Sequence, residues 1–113
     1  MVNLEFLPLT DELFNRAENI RKKYYRAIRS PLERCFVVNE LASLFNRYWK
    51  DFIEPRMPSG IWRTPMNLLQ NIIGDEFKGK PGIRPGLQWL KGSKSTKEFV
   101  EYIARRVQQI LSK

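Results

Sequence analysis

Between Glu76 and Glu98 the chain carries no carboxylate, yet the stretch DEFKGKPGIRPGLQWLKGSKST, residues 75–96, holds Lys78, Lys80, Arg84, Lys91 and Lys94. Cations without countercharges neutralise phosphates and do so with little regard for base sequence. The four glycines of the stretch allow close backbone approach, and its two prolines restrict the chain between them. A second basic cluster, Lys22, Lys23, Arg26 and Arg29, falls at helical spacing near the end of an amphipathic segment. There the cations also complement the negative end of a helix dipole, which is the simpler reason for them. If the two clusters fold to one side, they form a groove for a phosphate backbone. Trp62 and Trp89 could stack on bases, but an apolar neighbour, as in "QWLK", favours anchoring to the core.

The positive charge is concentrated. Of a formal net of +8 over 113 residues, +6 lies in residues 56–97, while the segments on either side carry +1 each. An ordinary solvated face mixes both signs, so a one-sign run of this length points to an anionic partner. Nucleic acid is the first reading, and an acidic protein is the alternative.

Other chemistry is largely excluded by composition. The chain has no histidine, which removes imidazole acid–base catalysis, Ser-His and Cys-His pairs and histidine-ligated metal sites. The single cysteine, Cys35, rules out an intrachain disulfide and suits a reducing compartment; within "CFVVNEL" it reads as a small core residue. "FKGKPG" lacks the Gly-Lys-Ser/Thr of a phosphate loop and follows no hydrophobic strand. Two carboxylate pairs remain, Asp75 with Glu76 and Asp51 with Glu54. Each sits at a helix end beside basic residues, so both read as solvated surface. No catalytic constellation, metal site or cofactor is expected. No run approaches the ~18 apolar residues that span a bilayer, and the first residues lack the basic and apolar regions of a signal peptide. A cytoplasmic protein that does not contact membrane is the expectation.

The elements that must position these residues read as helices throughout one domain, 1–113. Thr10 or Asp11 caps the first, with Leu13, Ala17, Ile20, Tyr24, Ala27 and Ile28 on one stripe. "SPLE" is a capping box with proline at N1 for the second, whose wide apolar face runs from Cys35 to Ile53 and ends before Pro55. That width predicts a central helix with several neighbours. "TPMN" starts a third helix through Ile73, with Gly74 as a natural C′ residue. Pro85 could begin one short turn over "PGLQWLK", and "STKE" caps the last helix, whose buried face is Phe99, Val100, Ile103, Val107, Ile110 and Leu111. The expected fold is an all-α bundle of four to five helices, with a basic Gly/Pro-rich segment before the last.

A long first pair, "TDELFNRAENIRKKYYRAIRS" and "SPLERCFVVNELASLFNRYWKDFIE", then shorter helices and "STKEFVEYIARRVQQIL", resembles the small subunit of CRISPR effector complexes of the Cascade type. The resemblance is one of architecture and covers the whole chain. It implies a non-catalytic subunit that packs beside other subunits or further copies of itself. Such a subunit holds guide–target RNA–DNA hybrid or displaced single-stranded DNA by its backbone. Carried over, Lys22, Arg26, Arg29, Lys78, Lys80, Arg84, Lys91 and Lys94 become phosphate contacts. A helical adaptor for an acidic protein, and a regulator with a helix-turn-helix, stay open as other readings.

Overall fold

The computed structural model describes residues 7–57, 64–79 and 84–112. Among these residues there are five α-helices and no strand: α1 (Asp11–Tyr24), α2 (Pro31–Ile53), α3 (Pro65–Asp75), α4 (Pro85–Lys91) and α5 (Thr96–Leu111). Short 3-10 turns extend α1 over Tyr25–Arg29 and α2 over Glu54–Arg56. The expected segment 58–63, with Trp62, lies outside the described residues, as do the side chains of Ala27 and Ile28.

The helix starts follow from local chemistry. Thr10, Ser30, Thr64 and Ser95 each accept the N–H three residues on, at 3.2, 3.3, 3.2 and 3.2 Å. A first-turn N–H has no intrahelical partner, so a short hydroxyl side chain satisfies it at small entropic cost. Pro31, Pro65 and Pro85 stand in first turns, where their missing N–H costs nothing.

α2 packs along both α1 and α3, and α5 lies against α1, α3 and α4. The core runs through the α2 side chains Val37, Leu41, Ala42, Leu44, Phe45, Trp49, Phe52 and Ile53, all buried. Phe45 and Trp49 stack at 4.5 Å between ring centroids. The face is the one expected from Leu41 onward and differs at its start and by one added residue. Val37 and Leu44 are inside, whereas Cys35 is exposed. Cys35 was expected in the core; it is exposed instead, on the open cavity between the start of α2 and the end of α3, and Leu32 and Phe36 are exposed in the same turns, while Val37 is the residue that turns inward.

α3 ends later than Gly74. Asp75 is its last residue and Glu76 its αR C-cap, so Gly74 lies inside the helix and its φ is not positive. Packing does not require glycine there: a Cβ would meet only Val38 Cγ1 of α2, at 4.0 Å. The glycine that closes a helix in the left-handed conformation is Gly92, φ +99°, after α4. Its N–H donates to Gln88 O and Trp89 O at 3.1 and 3.0 Å.

Glu76 corrects a second expectation. Read as solvated surface, it is 1% exposed. One carboxylate oxygen accepts from the Arg106 guanidinium and, at 3.2 Å, from Tyr102 Oη, both on α5. The charge-assisted pair offsets the cost of taking the carboxylate out of water, although its other oxygen finds no partner among the described residues. Burial, aided by the adjacent Glu76 charge, pushes the Tyr102 phenol up from its usual range. Asp51 and Glu54 are exposed as expected.

Candidate functional site

The site begins with how α4 is held. Its sequence PGLQWLK buries Gly86, Leu87, Trp89 and Leu90 and leaves Lys91 exposed. Trp89 stacks on Phe99 of α5 at 4.7 Å, and Phe77 meets both rings edge-on at 6.2 and 6.0 Å. Gly86 is where α4 passes the end of α3. A Cβ at that position would stand 2.5 Å from the Glu76 carbonyl oxygen and 2.9 Å from its carbon. Only glycine permits this approach. Trp89 is therefore an anchor and not a surface for bases.

A polar chain then joins α4 and α5 to α1. Trp89 Nε1 donates to Thr96 Oγ1 at 2.9 Å, and the Thr96 hydroxyl donates to Glu18 Oε1. Glu18 in turn accepts from Arg21 Nε at 3.1 Å and from Arg21 Nη2 at 2.6 Å. The Arg21 hydrogen bonds hold the Glu18 carboxyl below the usual carboxylate range against the opposing effect of burial, with Thr96 assisting, and the same contact raises Arg21. Arg21 Nη1 would lie 3.8 Å from a Cβ on Gly92, so the end of α1 and the end of α4 meet there.

That meeting creates an open groove of about 810 Å³ lined by Arg21, Lys22, Tyr25, Arg26, Arg29, Leu90 and Lys91. Lys22, Arg26, Arg29 and Lys91 are exposed, and none forms an ion pair with a carboxylate among the described residues, although Lys22 acts on Glu18 at longer range. Leu90 is a buried floor, 1% exposed, and Tyr25 is 52% exposed. Arg26 Nε donates to Tyr25 Oη at 3.0 Å, with its guanidinium 5.4 Å from the ring centroid. Four like charges around one concavity repel each other, and an anion placed there would relieve that repulsion.

The chain matches no protein-family model, no curated protein and no solved structure.

The structure divides the eight cations singled out in the sequence. Lys22, Arg26, Arg29 and Lys91 share the groove, so the first cluster and the end of the basic stretch do meet. Lys78 lies elsewhere, lining a cavity of about 450 Å³ with Arg34, Cys35, Val38 and Phe77, and its Nζ is 3.2 Å from Asp75 Oδ1. Lys94 is half-withdrawn, its Nζ 4.0 Å from Glu98 Oε2. Arg84 is the exposed N-cap residue of α4 and does not line the groove. Lys80 lies outside the described residues. Lys23, one residue from Lys22, faces away and pairs with Glu40 at 3.5 Å.

Two groove residues escaped the sequence reading. Arg21 and Tyr25 complete the pattern 21, 22, 25, 26, 29, the spacing of one helical stripe. The apolar stripe of the first helix takes in Tyr24 and leaves Tyr25 off it, and that offset is the signal that could have found the ring beside the cations. The two differ because Tyr24 packs partly against the core while Tyr25 begins the 3-10 turn and swings out. Among the described residues no three carboxylate or cysteine side chains cluster as metal ligands would, and no helix is long and apolar enough to cross a membrane.

Proposed function

We propose that this protein is a non-catalytic nucleic-acid-binding subunit that holds a phosphate backbone in the groove between the end of α1 and α4. One observation carries the reading: Lys22, Arg26, Arg29 and Lys91, from two separate parts of the chain, converge on one concavity without a carboxylate among them. Exposed lysines and arginines in a stripe make backbone contacts, which position a strand without reading its sequence. The groove is a phosphate track.

Within the setting that the helical order resembles, the strand would be a guide–target hybrid or a displaced single strand in a CRISPR effector assembly, with other subunits or further copies of the chain alongside. Support for that finer reading is the order and length of the helices, and co-purification of the protein with a guide RNA tests it directly.

The backbone reading itself is tested by competition. A fluorescent single strand bound to the protein should be displaced with closely similar efficiency by single strands of unrelated sequence, and only weakly by polyglutamate of equal charge. Preference for one duplex sequence over all others would identify a regulator. Displacement by polyglutamate at equal concentration would identify an acidic protein as the partner and overturn the reading.

A further inference from the structure

A groove built only to hold phosphates needs cations and water. This one also carries an aromatic component: the half-exposed ring of Tyr25, set among the four cations above the buried Leu90. Its volume of about 810 Å³ falls within the range of sites that enclose whole organic ligands, and far exceeds the space one phosphate oxygen cluster fills. The Tyr25 ring is held at the groove by its own hydroxyl, which accepts from Arg26 Nε at 3.0 Å. The Arg26 guanidinium near the ring makes the pair a flat cationic–aromatic unit, the combination on which nucleobases stack.

Building on the backbone-binding reading, we infer that the groove takes single-stranded nucleic acid, with one unpaired base stacked on the Tyr25 ring while Lys22, Arg26, Arg29 and Lys91 engage the flanking phosphates. A duplex keeps its base faces inside the stack, so it offers the groove phosphates and nothing for Tyr25. Stacking is tolerant of sequence because every base has a π-face. The groove is thereby selective for strandedness while staying indifferent to sequence.

Single strands of about 12 nucleotides, matched in length to common single-strand sites, are compared in three forms. One carries its bases, one is abasic throughout with the same phosphate charge, and one is closed into a hairpin duplex. Fluorescence anisotropy gives each affinity for the wild type, Tyr25→Ala, Tyr25→Phe and Arg26→Gln/Arg29→Gln. The wild type should bind the base-bearing strand at least about 5-fold more tightly than the abasic one. Tyr25→Ala should erase that difference and leave abasic and duplex binding unchanged, while Tyr25→Phe should keep it. Because Tyr25 is exposed, both variants should melt with the wild type.

If intact and abasic strands bind alike in the wild type, stacking is wrong. Loss of both on Arg26→Gln/Arg29→Gln would then leave the backbone reading standing. A fall for Tyr25→Phe equal to that for Tyr25→Ala would mean that Tyr25 acts by orienting Arg26, which also overturns the inference. No binding to any strand overturns both readings.

Discussion

The cations that share the groove and those that lie elsewhere should differ in how they make affinity depend on salt. Each phosphate neutralised on a single strand adds about −0.7 to the slope of log K against log salt, because bound counterions are released. Lys22, Arg26, Arg29 and Lys91 line the groove without carboxylates, whereas Arg21 is already committed to Glu18 through hydrogen bonds from Nε and Nη2. Four phosphate contacts give a slope of about −3, so raising salt from roughly 50 to 200 mM should weaken binding about 50-fold. Replacing Arg26 and Arg29 by glutamine removes two contacts. The slope should fall to about −1.4 and the loss over the same range to about sevenfold. Lys78→Gln with Lys94→Gln removes the same formal charge from outside the groove, where Asp75 and Glu98 stand nearby. Those exposed pairs are weak and do not lock the lysines; what separates them from the groove is position. Their replacement should shift the slope by less than half as much. Titration by fluorescence anisotropy at several salt concentrations reads all three. Should the lysine pair flatten the slope and the arginine pair leave it alone, the polyanion runs along the other cations and the groove is not the site.

Two glycines offer a paired test of the packing beneath the groove. Gly86→Ala would push a Cβ into the Glu76 carbonyl at 2.5 Å, against backbone that cannot rotate aside. A cost of about 1–3 kcal/mol is expected, with a melting temperature lower by several degrees. Gly74→Ala meets only Val38 Cγ1 at 4.0 Å and replaces a helix-interior glycine, so it should stabilise by about 0.5–1 kcal/mol. Opposite shifts in thermal melts monitored by circular dichroism check both at once; equal shifts would refute the close approach of α4 to α3. Acid should also loosen the α1–α4–α5 junction. The Glu18 carboxyl titrates below its unfolded value, so its contribution is present above the usual carboxylate range and is lost as pH falls through the depressed value. Glu18→Gln should therefore melt below the wild type at neutral pH, and the two melting curves should converge in acid. Parallel curves at every pH would show that the ionised carboxylate contributes nothing there.

Helix starts were legible because they are local. A hydroxyl at the cap, a proline at N1 and a glutamate two or three residues on act within one turn, and Ser30, Thr64 and Ser95 serve as those patterns predict. The all-helical class was equally legible, since the apolar spacing suits no strand. Errors arose where a side chain's surroundings come from distant sequence. Cys35 sits in an apolar run yet is exposed, lining an open cavity between the start of α2 and the end of α3, while Val37, two residues on, takes the buried place. Glu76 sits among lysines in the sequence yet is buried, because α5 brings Tyr102 and Arg106 to it across 26 and 30 residues.

The basic stretch shows the same division. Its charge surplus is a property of composition and needs no fold to be seen. Which of its cations could act together is not: α4, pinned by Gly86 and Trp89, turns Lys91 toward the end of α1 and leaves Lys78 on another face. The sequence alone determined helices, where they start and an excess of positive charge, since each depends on residues within a few positions of one another. Only the tertiary structure decided where that charge converges, because convergence is set by long-range packing of buried rings and one glycine contact that no local pattern encodes.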